Sequence, residues 1–407
     1  MAERDEEEVT AAEALADEAA RLDVREAADL LSATPGEDTV RILTSLNPAL
    51  AQDILEEMPT EVRGEVLAAA EPQQRAQWLR NEQYPEDSIG RLMEPPTAVF
   101  RPEQTIAQTI EQVRELVKTT LVTYGFIVGA TGRLEGIVTM RDLLLSDERA
   151  RLSAVMLRNP FFLTPDLELP EAMRQVVRRH FPVYPVCDSD GRLVGQVRGQ
   201  AMFEEQAYEI SAQPGRMVGV DKEERLATPW PRSLKFRHPW LQLNLLTAFV
   251  AAAVVGFFQG TIDKIVILAA FLPVLAGQSG NTGCQALAVT LRGMTLGELQ
   301  PGRERMLVMK EALLGLLNGA LVGVIAGAGM YFFARSQNNP NAFLLASIVA
   351  FAMTGSCIVS GVSGALIPMV LRRLGADPAT ASSIFLTTAT DVASMGLFLS
   401  LATWLAL

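Results

Sequence analysis

The sequence predicts a multidomain protein with an α-helical, superhelical N-terminal domain, a tandem pair of α/β domains and a domain of five membrane-spanning α-helices. Two observations predict this division. The 407-residue chain is apolar, with 49% hydrophobic and 20% charged residues and a mean hydropathy of +0.20. Its charge is also split, because residues 1–239 carry 41 acidic and 27 basic side chains whereas residues 240–407 carry six and eight. An acidic water-soluble part followed by a membrane part accounts for both observations.

The N-terminal domain, predicted at 1–88, is a series of short helices separated by regularly spaced prolines. Pro35, Pro48, Pro59 and Pro72 stand 13, 11 and 13 residues apart, with apolar residues at helical spacing between them. This pattern predicts stacked helical hairpins. The first residues carry neither a basic start nor an apolar run, so we expect no signal peptide and a cytoplasmic N-terminus.

Two similar units follow, predicted at 89–152 and 153–212. Each unit is expected to hold a strand, a helix, two strands around a glycine turn and a second helix. The similarity rests on two pairs of matching segments: Met93–Pro102 with Met156–Pro165, and Gly132–Val138 with Gly191–Val197. The two units resemble a tandem pair of cystathionine-beta-synthase (CBS) domains.

The CBS resemblance implies an adenine nucleotide such as ATP as a ligand. In such domains a Ser or Thr three residues before an Asp, at the end of the last strand, often contacts the nucleotide, and Thr139 and Asp142 match this pattern. An ordinary helix start, with Thr as the N-cap, explains the two residues equally well. His180 and His238 have no second histidine nearby and are expected in packing or interface positions.

The membrane domain is predicted at 239–407, after a connecting helix at 213–238. Five stretches are almost free of charge and reach the ~20 residues that a bilayer-spanning helix needs: 239–262, 265–291, 312–334, 342–371 and 378–407. With a cytoplasmic N-terminus, six basic residues fall in inside loops and only Lys264 and Arg335 in outside loops. This bias fits the positive-inside rule and predicts a multi-pass protein of a bacterial inner membrane.

Asp391 lies near the middle of the last predicted span, where an ionised carboxylate costs at least ~2.5 kcal/mol. The span contains no lysine or arginine to pair with it. Thr387, Thr388 and Ser394 fall on the same helical face as Asp391, which makes a polar stripe. Asp391 is therefore predicted to be a metal site. The alternative is a protonated carboxyl that makes hydrogen bonds between helices.

The second predicted span contains a strip of small and amide residues. Glycines at 277, 280 and 283 fit close helix packing, but Asn281 and Gln285 place two amides on one face, which packing does not require. Together with the Asp391 stripe, the strip predicts a water-filled path lined by oxygen atoms. The predicted pore-lining residues are Gly277, Gly280, Asn281, Cys284, Thr387, Thr388 and Asp391.

Carboxylate, amide and hydroxyl oxygens are hard ligands that suit Mg²⁺, which sheds its water reluctantly. One carboxylate per chain would select a cation poorly. We therefore expect two chains that face each other, as a homodimer in the lipid bilayer. The acidic balance argues against a nucleic-acid partner. The predicted protein transports an ion and is not an enzyme.

The order of these parts resembles the MgtE family of magnesium channels. The longest matching segments are Tyr84–Met93, Leu241–Phe249, Gly280–Gly283, Gly364–Pro368 and Thr387–Val392. The resemblance implies a pore between two subunits, with Asp391 holding hydrated Mg²⁺. It also implies that intracellular Mg²⁺ bridges acidic faces of the cytosolic domains and closes the gate. The acids available for this regulation are Asp188, Asp190, Asp221, Glu223 and Glu224.

The sequence departs from the family where several acids usually follow the last strand of the second CBS domain, since this chain has Arg198-Gly199-Gln200-Ala201 there. Two other functions fit the same sequence. One is an ion-coupled secondary transporter of divalent cations that uses Asp391 as a proton site. The other is a non-conducting, membrane-anchored nucleotide sensor.

Overall fold

The computed structural model describes residues 12–118, 120–179, 181–296, 298–299 and 302–407, apart from the side chains of residues 380 and 381. The chain divides into two compact units. One unit comprises Met1–Ser211 with Arg225–Thr228, and the other comprises Ala212–Glu224 with Pro229–Leu407.

The first unit begins with the predicted stack of short helices, which the proline spacing sets. Pro48 and Pro72 occupy the first helical turn, and Pro35 and Pro59 are N-cap residues, where a missing N–H costs nothing. Their apolar faces form one core, and the first helix contacts the third while the second contacts the fourth. Residues 12–19 are also helical. The labelled helices are α1 (Val24–Ser32), α2 (Gly36–Ser45), α3 (Pro48–Glu57), α4 (Thr60–Ala69) and α5 (Pro72–Asn81).

The tandem pair follows a 3₁₀ turn at Ile89–Leu92. The first CBS unit holds a four-stranded sheet in the order β1-β2-β3-β4, with β1 parallel to β2 and the other pairs antiparallel. Its elements are β1 (Val99–Phe100), α6 (Ile106–Leu116), β2 (Tyr124–Val128), β3 (Leu134–Thr139), α7 (Met140–Leu145), α8 (Leu152–Val155) and β4 (Leu157–Arg158). The second CBS unit has α9 (Leu169–Val176), antiparallel β5 (Val183–Cys187) and β6 (Leu193–Arg198), and α10 (Gly199–Arg216).

The internal repeat is confirmed by two equivalent turns. Gly132 between β2 and β3 has φ +83°, and Gly191 between β5 and β6 has φ +76°, a conformation that favours glycine. The turns pair with each other, because Leu134 N–H donates to the Gly191 carbonyl at 3.0 Å and Leu193 N–H donates to the Gly132 carbonyl at 3.1 Å. The two CBS units are therefore related by a pseudo-twofold axis.

The second of the two compact units contains five long helices among its described residues. They are α11 (Trp230–Phe257), α13 (Leu272–Thr295), α14 (Glu304–Ser336), α15 (Ala342–Arg373) and α16 (Pro378–Ala406). The short α12 (Gln259–Lys264) and a 3₁₀ turn at Val266–Phe271 lie between α11 and α13. Among the described residues, four helices are long and apolar enough to cross a membrane, and α13 is not one of them. The predicted second span thus exists as a helix, but its polar strip makes it less apolar than the other four.

Helices α14 and α15 make the most extensive contact in this unit, through a run of glycines. Gly319, Gly323 and Gly327 recur every four residues on α14, and a Cβ at each would lie within 2.8 Å of α15 atoms. Small residues at this spacing allow two membrane helices to approach closely. This glycine run is a packing signal in the sequence, distinct from the polar strip of α13.

The segment predicted as a connecting helix, 213–238, has a different structure. α10 continues to Arg216, residues 217–229 form turns and irregular chain, and α11 begins at Trp230. Two features explain the difference: Gly219 has φ +80°, which a helix does not allow, and Pro229 caps a new helix. The basic residues before the first span therefore belong to α11 itself.

Candidate site in the membrane helices

Asp391 lies in the middle of α16 and is half-buried in the single chain. Within the described residues, its carboxylate has no hydrogen bond or ion pair. The hydroxyl of Ser394 donates to the backbone carbonyl of Asp391 at 3.1 Å, not to its side chain. The neighbouring hydroxyl groups do not donate to the Asp391 carboxylate because each of them donates to a backbone carbonyl of α16.

The threonines of the Asp391 stripe use their hydroxyl protons within the helix. Thr387 donates to the Ser383 carbonyl at 2.6 Å, and Thr388 donates to the Ile384 carbonyl at 2.8 Å. Each hydroxyl oxygen keeps its lone pairs. The stripe therefore presents acceptor atoms, which suits a cation or its hydration water.

The polar strip of α13 separates into an open face and a packed face. Gly277, Asn281, Cys284 and Gln285 are exposed in the single chain, and Gly280 is partly exposed. A Cβ at Gly277 or Gly280 would meet no other atom within 4 Å. Close helix packing within the chain is thus not the reason for these two glycines, and the face they share is open.

Gly283 has the opposite role. A Cβ there would lie 3.0 Å from Leu386 and 3.1 Å from Thr390 of α16. On another side, Gly364 of α15 contacts the Gly283 carbonyl closely. Packing therefore explains Gly283, as the small-residue interpretation requires.

The Gly283 contact places the two polar features at the same depth. Asp391 follows Thr390 directly, about 1.5 Å further along the helix axis, and Cys284 follows Gly283. The structure thus brings the polar strip of α13 and the stripe of α16 onto adjacent helices. The described residues contain no group of three or more His, Cys, Asp or Glu side chains that could hold a metal ion. A single carboxylate with hydroxyl and amide neighbours suits a hydrated cation, since Mg²⁺ usually keeps several waters.

Asp188 and Asp190, two of the acids proposed for regulation, lie in the turn between β5 and β6. The Asp188 carboxylate accepts hydrogen bonds from the backbone N–H of Asp190 at 3.0 Å and of Arg192 at 2.8 Å. These bonds shape the turn, as Asp commonly does. Regulatory metal binding by the two acids stays a prediction.

Asp221, Glu223 and Glu224 lie in the irregular segment before α11. Asp221 accepts a hydrogen bond from the Glu223 N–H at 2.9 Å. The Glu224 side chain is 3% exposed, and its carboxylate pairs with Arg237 at 2.5 Å. The hydrogen bond from Arg237 lowers the pKa of Glu224 below its usual value. Glu224 is thus neutralised within the chain, and a regulatory ion would have to displace Arg237.

Thr139 and Asp142, the predicted nucleotide contacts, form a reciprocal cap at the start of α7. Thr139 Oγ1 accepts from the Asp142 N–H at 3.2 Å, and Asp142 Oδ2 accepts from the Thr139 N–H at 3.1 Å and from its hydroxyl at 2.7 Å. The hydroxyl hydrogen bond lowers the pKa of Asp142. The helix-start interpretation describes this geometry, and nucleotide contact stays a prediction.

His238 is exposed and lies 3.2 Å from Gln242, whereas His180 lies outside the described residues.

One side-chain contact in the second compact unit could not be predicted from the sequence. Met217 packs against the cluster formed by Leu287 and Leu291 of α13 and Leu386 of α16. Ile367 of α15 packs against the same cluster. Nearby, the Gln213 amide donates to the Thr295 hydroxyl at the end of α13. A lone methionine in an irregular segment shows no periodicity, so its partners could not be inferred from sequence.

Three comparisons with known proteins bear on this arrangement. The family model described as a divalent cation transporter, MgtE, matches residues 272–401, and the MgtE intracellular N domain model matches 9–87. The CBS domain model matches 89–148 and 152–204.

Curated relatives agree with these matches. The chain is 28% identical to the magnesium transporter MgtE of Thermus thermophilus, over 90% of this chain and 78% of that protein. It is 27% identical to the magnesium transporter MgtE of Bacillus subtilis, over 79% of this chain and 70% of that protein. A crystal structure of the cytosolic domain of the Mg²⁺ channel MgtE in complex with ATP is 27% identical, covers 44% of this chain and 79% of that one, and has a TM-score of 0.33. The soluble part of a magnesium transporter is 18% identical, covers 46% and 79%, and has a TM-score of 0.32.

Proposed function

The chain belongs to the MgtE family of divalent cation transporters, and we propose that it is a Mg²⁺-selective channel whose permeating ion passes Asp391. Members of this family are transporters, so the chain is a membrane transporter and not an enzyme. The observation that carries the proposal is the half-buried carboxylate of Asp391, in a membrane helix, without a partner in the described part of the chain. A carboxylate at this depth is retained only at a cost of a few kcal/mol, which a transported cation would offset.

The pore is proposed to lie between two copies of the chain. Asn281, Cys284 and Gln285 are exposed in the single chain, and the two amides would be left without hydrogen-bond partners if they faced lipid tails. A second copy facing the same side would enclose these groups around water. Two Asp391 carboxylates would then face one path and hold a hydrated Mg²⁺ from both sides.

The direction of transport follows from the membrane potential. A potential that is negative inside favours influx of a divalent cation, by about 2.3 kcal/mol per charge for each 100 mV. The proposed orientation follows the positive-inside rule, with the N-terminal domains on the cytoplasmic side of a bacterial inner membrane.

We propose that the cytosolic domains gate the pore through the segment around Met217. This segment follows α10 of the second CBS unit, and Met217 packs against a cluster of side chains from α13 and α16, the two proposed pore helices. Intracellular Mg²⁺ is proposed to act on the acids of this segment and of the β5–β6 turn, and ATP on the first CBS unit near Thr139. A ligand that binds the closed arrangement more tightly would stabilise it.

The test is Mg²⁺ uptake into proteoliposomes by wild type, Asp391→Asn and the matched control Asp377→Asn. Asp377 lies on the same helix but caps its N-terminus, accepting from the Ala379 N–H at 2.9 Å, and Asn caps equally well. We expect uptake by Asp391→Asn to fall to that of empty vesicles while Asp377→Asn keeps wild-type uptake. Equal uptake by all three proteins would remove Asp391 from the transport path.

The same vesicles separate the two rival functions. Uptake that requires a gradient of Na⁺ or H⁺ indicates an ion-coupled transporter. A protein that binds ATP but conducts no Mg²⁺ under any internal Mg²⁺ concentration indicates a nucleotide sensor.

A further inference from the structure

The N-terminal helical domain, residues 12–81, is joined to the second CBS unit by a continuous interface within the first compact unit. Helices α3 and α5 both contact the 3₁₀ turn at Ile89–Leu92. Ala49 of α3 is buried in the core of the second CBS unit, beside Ile89, Val186 and Met202 among others. The helical domain thus contributes to the core of its neighbour.

Polar contacts to backbone groups fix this position. The buried Asn81 amide donates to the Met93 carbonyl at 2.8 Å, and Arg80 donates to the Val194 carbonyl at 2.6 Å. Asn47 donates to the Ala201 carbonyl at 3.1 Å. Three separate points on the helical domain therefore contact the second CBS unit or the chain that leads into it.

An arginine–glutamate pair joins α3 to the 3₁₀ turn at Ile89–Leu92. Arg91, whose side chain is 8% exposed, binds both carboxylate oxygens of Glu56, with Nη2 to Oε2 at 3.2 Å. The Gln52 amide donates to Oε1 of the same carboxylate at 2.9 Å. Burial raises the pKa of Glu56, but the hydrogen bonds from Arg91 and Gln52 outweigh it and hold the pKa below its usual value. Both oxygens are thus already bound by donors, in the two-pronged geometry that only arginine provides.

A second arginine forms an ion pair within the CBS pair itself. Arg198, which stands where the family usually begins an acidic stretch, contacts the Glu94 carboxylate at 2.6 Å. Backbone bonds in both directions between Glu94 and Gln196, at 2.8 and 2.9 Å, fix the two strands that carry the pair. Glu56 and Glu94 therefore have cationic partners supplied by the chain itself.

From this geometry we infer that the helical domain is docked on the CBS pair by a metal-independent clamp, in which Arg91 supplies the positive charge at Glu56, while Arg198 supplies it at Glu94 inside the CBS pair. A divalent cation at Glu56 would have to displace a guanidinium that would then remain buried without a partner, which is unfavourable. Docking of the helical domain consequently persists with and without Mg²⁺. Any response of the protein to intracellular Mg²⁺ must arise from other acids than Glu56 and Glu94.

The test is hydrogen–deuterium exchange of the full-length protein in detergent, in excess EDTA and in excess Mg²⁺. We expect equal protection of residues 47–57 and 89–94 in both conditions. Glu56→Ala is expected to accelerate exchange in these segments roughly tenfold, because it leaves the buried Arg91 unpaired. The control is Glu111→Ala, which removes an exposed pair with Arg114 and should leave the same segments unchanged.

Charge reversal makes the test independent of misfolding. Glu56→Arg and Arg91→Glu should each lose protection, and the double variant should recover most of it if the pair itself holds the domains. Loss of protection in EDTA alone, equal to that of Glu56→Ala, would overturn the inference. So would unchanged protection in both single reversals. Since the readout is amide exchange, it is independent of whether the protein conducts Mg²⁺.

Discussion

Three acids that precede the membrane helices differ from the acid of the last membrane helix, because each of the three has a cationic partner. Glu56, Glu94 and Glu224 are each bound by an arginine of the same chain. Asp391 has no such partner in the described chain, although an unpaired charge is most costly in the membrane. Paired carboxylates hold the structure together, whereas an unpaired one leaves its charge available to a mobile cation. The pairing of an acid is therefore a better guide to its role than its presence.

The largest effect is expected from blocking the open face of α13 with a charged thiol reagent. Of the three cysteines, Cys284 is exposed, while Cys187 and Cys357 are buried, and burial raises the pKa of Cys187 to about 12. A positively charged methanethiosulfonate reagent, which reacts with thiolates in water, should therefore modify Cys284 and abolish most Mg²⁺ uptake. Uptake measured before and after treatment checks this.

The control for this experiment is Cys284→Ser, which should be resistant to the reagent. Inhibition that persists in Cys284→Ser would show that another site is responsible. Full activity of modified wild type would mean that the face of α13 does not line the path.

The next largest effect concerns the packed face of the same helices. Gly364→Ala would place a methyl group against the Gly283 carbonyl and 2.8 Å from Ala286, so we expect it to lower the free energy of unfolding by about 1–3 kcal/mol. Gly277→Ala, where the new methyl group meets nothing within 4 Å, should be neutral or slightly stabilising in the isolated chain. Thermal unfolding in detergent checks both variants, and equal effects would contradict the division into open and packed faces.

A smaller effect is expected at the start of α7. Thr139→Ala removes both hydroxyl contacts of the cap and should cost about 1 kcal/mol of stability. If Thr139 also contacts a nucleotide, ATP should raise the melting temperature of wild type and not of the variant. An equal ATP-dependent rise in both proteins would restrict Thr139 to its capping role.

The smallest effect is expected from Glu224→Gln at neutral pH, a fall in melting temperature of about one degree. The folded-state pKa of Glu224 is lowered by Arg237, so its stabilising contribution is present above the unfolded pKa and is lost as the pH falls through the folded value. Wild type and variant should therefore converge in acid. Melting curves recorded from neutral to acidic pH check this, and a difference that grew in acid would contradict the pairing with Arg237.

Much of the fold could be predicted because its signals are local. Prolines such as Pro48 begin helices, and the paired glycines Gly132 and Gly191 mark equivalent turns, so the helical stack and the tandem repeat are confirmed. The pore candidates were also found locally, since an acid and amides are conspicuous in apolar segments. Their separation into an open face with Gly277 and a packed face with Gly283 needed the neighbouring helices, and α11 begins earlier than the apolar pattern because a helix continues through basic residues.

The contacts between distant residues could not be predicted. Arg91 and Glu56 are 35 positions apart, and nothing in the spacing of an acidic surface tells which acid an arginine neutralises. The same holds for the ion pair of Glu224 with Arg237. The sequence alone made Glu224 a candidate metal ligand, whereas the structure shows that an arginine binds it. Met217 belongs to an irregular segment, where side-chain partners depend on the path of the chain and not on periodicity.

The most direct test is the current through single proteins in a planar bilayer with Mg²⁺ as the permeant cation. Wild type is compared with Asp391→Asn, which alters the unpaired acid, and Glu224→Gln, which alters a paired one. We predict discrete Mg²⁺ currents that reverse at the Mg²⁺ equilibrium potential in wild type, the same unitary current in Glu224→Gln, and none in Asp391→Asn. Unitary currents of equal size in wild type and Asp391→Asn would contradict the assignment of the unpaired carboxylate to the permeating ion.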